Sequence, residues 1–444
     1  MKNHIKLFVL LGILLVGSFS FYLFKKYTLV YVNNKIKPSS SGIAMMFETS
    51  AGSGNYEMTT RSEWPTEGYV FNENLSKCEK GSKLSWDNEN KKVLMSGNKS
   101  DKCYVYFDVY VKPQVLLADY LKSLYTGTQG ANNMYYHDAN LKNGAGDNSY
   151  RFSGASEEAN NYVCFGTNVT PCPTDNLYRI IGVFGDQVKL IKSDYATSTL
   201  LGNDGDYKQA YTATGYSSSN YKGNNLANIA AYTWNYKNNT TINSGKGSNT
   251  WSTSLLNKTN LNKNFITNIG TDWAAKIDDT TWKVGGNTGD KISKVIPSVA
   301  YQNEIVSPVT TNSQDNATEY SAKVGLMYAS DYGFAAAPSA WTTNLYDYDG
   351  AAIKSVNWMY MGLLEWTISR NADRASSVFG VGITGFVSNY SASNTLGVRP
   401  VFNLSSSVNY VSGSGTAADP IVVNLWLGDY ACLSNASMVY AKKW

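Results

Sequence analysis

The chain is 444 residues long, room for two or three domains each with its own core, and 16% of its residues are charged against roughly 25% in average soluble proteins. A formal net charge of +4, with no Lys/Arg run beyond two residues, excludes a nucleic-acid partner, because tracking phosphates takes clustered positive charge. Asn, Ser, Thr, Gly and 33 Tyr supply the polar content instead, a composition that suits an extracellular, β-rich protein.

Leu7 to Phe24 is a mostly apolar run without a charge, bracketed by Lys2 and Lys6 before it and by Lys25 and Lys26 after it. As a helix it spans about 27 Å, enough for a bilayer. The apolar character continues past Ser18 and Ser20, so residues 1–29 read as an uncleaved signal-anchor rather than a signal peptide cut there. The expected location is the cell membrane, single-pass, with the ectodomain outside. Residues 30–41 read as a Pro- and Ser-rich linker.

Residues 42–112 alternate between apolar and polar positions, broken by turn residues. In Cys103 to Val111 the odd positions are apolar and the even ones polar or tyrosyl, the period of a half-buried strand. Leu84-Ser85-Trp86 and Val93-Leu94-Met95 flank Asp87 to Asn90 as a hairpin. The module reads as a small antiparallel β-sandwich spacer. Cys78 and Cys103 lie inside it, and Cys164 and Cys172 bracket a short loop containing Pro171; both local pairs read as disulfides of an oxidising compartment. Cys432 is left over. With no C-x-x-C, and with His4 and His137 as the histidines, a zinc site is not expected.

A larger domain is expected over residues 114–424. It opens on a helix marked by Leu116, Leu117, Tyr120, Leu121 and Leu124, with Gly127 beyond its end. Strands follow at Tyr150-Arg151-Phe152 and Tyr162 to Phe165. A hairpin comes next, Tyr178 to Phe184 and Gln187 to Ile191, turned by Gly185-Asp186. Residues 203–247 read as a long Gly/Asn/Tyr/Ser loop, 251–265 as a helix, and Val324 to Tyr328 as a buried strand. Residues 425–444 fit no pattern.

Two C-terminal segments stand out, Gly362-Leu363-Leu364-Glu365-Trp366-Thr367 and Gly397-Val398-Arg399-Pro400-Val401-Phe402. Together they resemble the end of the C-type-lectin-like fold as used by the formylglycine-generating (sulfatase-modifying) enzymes. Those enzymes' catalytic cysteines have no counterpart, because no Cys lies between Cys172 and Cys432. The order of elements over roughly residues 120–415 is also similar to an uncharacterised bacterial surface domain family. The resemblance implies an α+β architecture: a C-type-lectin-like domain after the β-sandwich and the transmembrane helix. It implies a binding protein rather than an enzyme.

The residues offer little catalytic machinery. His137 sits among tyrosines without a nucleophile elbow. Asp331, Asp347, Asp349 and Glu365 are the carboxylates a glycoside hydrolase would draw on. No cofactor is expected; calcium is the one cation to weigh, at Asn203 to Asp206 and Asp347 to Gly350, and both stretches read better as turns. Glu365 and Arg399, in an apolar context beside Trp366, are costly to bury unpaired and are expected to pair inside the core.

Binding is placed instead on the C-terminal loops. Arg370, Asn371, Asp373 and Arg374 supply adaptable polar groups, while Trp358, Tyr360, Asn389 and Tyr390 add aromatic anchors and an amide. The functional expectation is an adhesin-like surface protein for an extracellular glycan or protein ligand, with a C-terminal segment open to diversification. A structural envelope subunit without a specific ligand is the alternative.

Overall fold

The computed structural model describes residues 30–31, 42–59, 61, 63–98, 100–111, 114–287, 295–309 and 317–424. The apolar run Leu7 to Phe24, most of the linker and residues 425–444 lie outside them. Among the described residues no helix is long and apolar enough to cross a membrane. The single-pass membrane location expected from that run is therefore set aside.

The described residues fall into two compact units that divide between Pro113 and Gln114. In the first, Ile43–Glu48 and Cys103–Val109 run parallel in the middle of a five-stranded sheet. Tyr56–Met58 and Tyr69–Phe71 flank them antiparallel. The hairpin Lys83–Asp87 and Lys92–Ser96 belongs to a second, three-stranded sheet. Inward positions of both sheets form one cluster, with Met45, Phe47, Val93, Met95, Val105 and Phe107 at its centre. The alternation of Cys103 to Val109 is thus realised, but its neighbour runs the same way along the sheet. A disulfide joins Cys78 to Cys103, which are register partners on adjacent strands.

The second unit is built on a ten-stranded mixed sheet. Its spine is the hairpin Leu177–Phe184 and Gln187–Lys192, turned at Gly185, whose φ of 63° suits glycine. These strands are near-continuously buried, as strands covered on both faces are. Val401–Leu404 and Val324–Gly325 extend the sheet on one side, Tyr162–Cys164 and Ile421–Val423 on the other. Gly182 lets Ser149–Phe152 branch off the same spine; a Cβ there would lie 2.2 Å from the Tyr150 carbonyl oxygen. A four-stranded sheet holds Gly286–Asn287, Glu365–Asn371, Ser377–Val381 and Val387–Ser391. Its first two strands are parallel.

The expected α+β, C-type-lectin-like domain behind an antiparallel sandwich is corrected accordingly. The fold is mixed and sheet-rich, 31% strand against 19% helix, with parallel pairs in both units. The reason is physical: alternation fixes which face of a strand is buried, not the direction of its neighbour. Two further expectations change. Val324–Gly325 is a two-residue strand, and the chain then turns into the helix Ala329–Phe334. Residues 203–247 contain the paired strands Tyr207–Ala210 and Ala230–Tyr232.

Candidate functional site

The hairpin spine ends at Lys192, and the chain continues into a four-residue helix, Ser198–Leu201, capped by Thr197, whose Oγ1 accepts from the Leu200 amide at 3.2 Å. Across from it runs the ribbon of Tyr207–Ala210 and Ala230–Tyr232, joined to Thr197 by a bridge at Ile229. Between these walls lies a cleft of about 450 Å³. That is within the range of small-molecule sites, roughly 300–1,000 Å³.

One wall is gripped from behind. The wide, π-type helix Leu256–Phe265 continues into Ile266–Asn268 and presents asparagines at steps of four. Asn260 Nδ2 donates to the Leu201 carbonyl at 2.8 Å, Asn264 Nδ2 to the same oxygen at 2.9 Å, and Asn268 Nδ2 to the Thr199 and Leu200 carbonyls, both at 3.0 Å. A step of four tracks one face of such a helix. The start of this helix is fixed by Asp206, a buried carboxylate that accepts five hydrogen bonds. Thr233 Oγ1, Tyr236 N and Lys237 N meet Oδ1, and Leu255 N and Leu256 N meet Oδ2. Asp206 therefore caps a helix and closes the ribbon.

Lys192, Ile229 and Ala230 are buried at the base of the cleft, while Thr199, Ala227 and Asn228 are exposed at its rim. Asp175 and Asn176 enter from the short turn before the spine. The loop leading into that turn is closed by the disulfide Cys164–Cys172, so the covalent link sits where it limits the freedom of one side of the cleft. Lys192 Nζ donates to the Asp175 backbone carbonyl at 3.1 Å. Among the described residues no second acceptor meets this ammonium, which is 3% exposed as a residue. Burial lowers its pKa, against the opposing charges of Asp194 and Asp175. The Tyr178 ring lies 5.7 Å from the ammonium, so the cation has one hydrogen-bond acceptor and one π face, fewer acceptors than its three N–H groups can use.

The residues expected to bind sit elsewhere and mostly inside. Trp358 is 1% exposed, donates Nε1–H to the Phe152 carbonyl at 2.8 Å and lies under the Arg179 guanidinium. Tyr360 is 3% exposed and its hydroxyl donates to the Ile383 carbonyl at 2.7 Å. Arg370 donates to the Ala317 carbonyl, and Asn371 accepts at its carbonyl from Asn249; both are buried. These four cannot meet a ligand in this conformation. Asp373 is half-buried and Arg374 exposed in the turn after Glu365–Asn371. Asn389 and Tyr390 are half-buried on Val387–Ser391, with the Tyr390 ring edge-on to Trp366.

Glu365 and Arg399 form a buried bidentate pair, with Nε on Oε1 at 2.7 Å and Nη2 on Oε2 at 2.8 Å. The remaining bond of Nη2 goes to the Met359 carbonyl, and Trp366 donates to the Tyr232 carbonyl. His137 ends the strand Met134–His137 and is fully buried. Its Nδ1 accepts from Ala145 N, and burial holds its pKa well below 6.5. Lys192, the Asn260–Asn264–Asn268 ladder and Asp206 carry the cleft; sequence reasoning passes over the lysine and the asparagines, and weighs Asp206 only as part of a turn. The signals for them are a lysine directly after the apolar pair Leu190-Ile191 and asparagines at helical steps. Among the described residues no group of three or more His, Cys, Asp or Glu could hold a metal ion. No protein-family model, curated protein or solved structure matches this chain.

Proposed function

We propose that the protein is an extracellular binding protein whose cleft above Lys192 receives a glycan. The observation that carries this is the buried ammonium at the base of a cleft whose lining mixes the hydroxyls of Thr197, Ser198 and Thr199, the amides of Asn176, Asn228 and Asn268 and the ring of Tyr207 with Asp175 and small or aliphatic side chains. A sugar presents many hydroxyls in fixed directions, and short uncharged side chains answer them with directional bonds at small entropic cost. The two disulfides support an extracellular setting, since such bonds persist in oxidising compartments. The reading is of recognition without turnover.

The test is a glycan array probed with the full chain, with Ala227→Trp and Arg374→Ala as companions. Ala227 is exposed at the rim, so the indole fills the cleft without disturbing a core. Binding by the wild type and by Arg374→Ala, lost at least about tenfold in Ala227→Trp, supports the cleft; tenfold corresponds to ~1.4 kcal/mol. Loss in Arg374→Ala with retention in Ala227→Trp would return the site to the C-terminal turn. A folded sample that binds no glycan would refute the proposal.

A further inference from the structure

On the opposite face of the same strand lies a second lysine, in a setting the binding reading does not use. Lys189 Nζ stands 2.5 Å from Asp331 Oδ2, with side-chain exposures of 7% and 1%. The rings of Tyr328, Phe184 and Trp282 surround the ammonium at 4.7, 5.3 and 5.9 Å. Asp331 Oδ1 faces the Arg151 guanidinium, 3.5 Å from Nη1, and Arg151 is in turn held by Asp147 at 2.6 Å. Oδ2 also accepts from Tyr328 N at 3.1 Å. Glu304 is the third carboxyl nearby, fully buried and bonded to Ser369 Oγ and Ser330 N.

We propose that Lys189 and Asp331 condense to an intramolecular isopeptide bond. Three features of the geometry favour it. First, amine and carboxyl are already in contact, so the entropic part of the barrier to amide formation is met by the fold. Secondly, in water an amine and an acid do not condense because both are more stable as solvated ions. Here the ions are out of water, where charge separation is costly and the neutral amide is comparatively favoured. Burial accordingly lowers the pKa of Lys189, against the pull of Asp331. Thirdly, the two carboxylate oxygens have different neighbours. Lys189 is on Oδ2, which can leave, and Arg151 is on Oδ1, which stays.

The step balances without a co-reactant. The ammonium passes a proton to Oδ2, and the neutral Nζ lone pair attacks Cγ. Negative charge gathers on Oδ1 toward Arg151, as at an oxyanion site. The Cγ–Oδ2 bond breaks, and Oδ2 departs as water with two protons that began on Nζ. The product joins Gln187–Lys192 to the helix Ala329–Phe334 by an amide, 142 residues apart in sequence.

The test is mass spectrometry of the full chain, reduced and denatured, followed by protease digestion. The expected result is a chain lighter by one water and a branched peptide that joins the Lys189 and Asp331 fragments. Lys189→Arg keeps the cation but cannot condense, so its mass should show no deficit beyond the substitution. A wild-type protein at full mass, with Lys189 and Asp331 recovered in separate linear peptides, overturns the proposal. The wild type alone decides, so the outcome does not depend on whether the variant folds.

Discussion

Lys189 and Lys192 are three residues apart on one strand, and the protein surrounds them in opposite ways. An odd spacing sends their side chains to opposite faces of the sheet. Lys189 meets a carboxylate, an arginine beyond it and three aromatic rings. Lys192 meets one backbone carbonyl, one aromatic ring, that of Tyr178 at 5.7 Å, and an open cleft. Both are buried and burial lowers the pKa of both, so neither property separates a structural lysine from a binding one. What separates them is whether the surrounding chain has already met the charge.

The comparison breaks most visibly at Asp331. Asp331→Ala leaves Lys189 and Arg151 in the core without their shared partner, and it should cost at least about 3–5 kcal/mol in urea unfolding, the loss of the proposed amide cross-link adding to the loss of the ion pair. A loss under 1 kcal/mol would show that this face is as open to water as the other.

The pH dependence of the same face sharpens it. Burial pushes Glu304 up to about 7 from an ordinary 4.5, while the serine bonds oppose. Between those values the native state keeps a proton that the unfolded chain has released. The contribution of Glu304 to stability is therefore fully present below 4.5 and is lost as pH rises through 7, by about 3 kcal/mol in all. Glu304→Gln should flatten that slope; urea midpoints on either side of the window measure it.

On the cleft face, replacing Cys164 and Cys172 by serine releases a loop of sequence separation 8 and should cost about 2.5 kcal/mol. Glycan affinity should fall with it, since the turn bearing Asp175 follows directly. The smallest effect on stability belongs to Lys192→Met, within about 1 kcal/mol, because the substitution removes a cation that the fold had not paired. Its glycan affinity should nonetheless fall at least about tenfold, read by titration calorimetry. A destabilisation to match Asp331→Ala would make Lys192 a second structural lysine.

Local signals account for part of this molecule. The Leu177–Phe184 and Gln187–Lys192 hairpin follows from apolar runs around Gly185-Asp186, and the helix Leu117–Ser123 from its leucine spacing. The cysteine pairs follow from proximity in sequence, and the Glu365–Arg399 pair from the cost of an uncompensated charge. The parallel partner of Cys103–Val109 does not follow, because it is set by a crossover of more than fifty residues rather than by the strand itself. The burial of Trp358, Tyr360, Arg370 and Asn371 escapes the sequence for a different reason. This core is rich in Asn, Ser and Arg, so a polar composition does not mark a surface here. The cleft is assembled from Asp175, Lys192, Thr199, Asn228 and Asn268, and no window of sequence contains them together.

Asp206 gives the cleft a dynamic character that its composition would not suggest. A Gly- and Asn-rich connection ordinarily opens on its own, far more often than the domain around it unfolds. Here the amides of Tyr236, Lys237, Leu255 and Leu256 share one acceptor, so the ribbon cannot lift without unmaking the first turn of the helix behind it. Those four amides should exchange with solvent as one cooperative group, at the pace of the helix rather than of a loop. The walls of the cleft are thereby set before a ligand arrives, and little ordering entropy is left to be lost on binding.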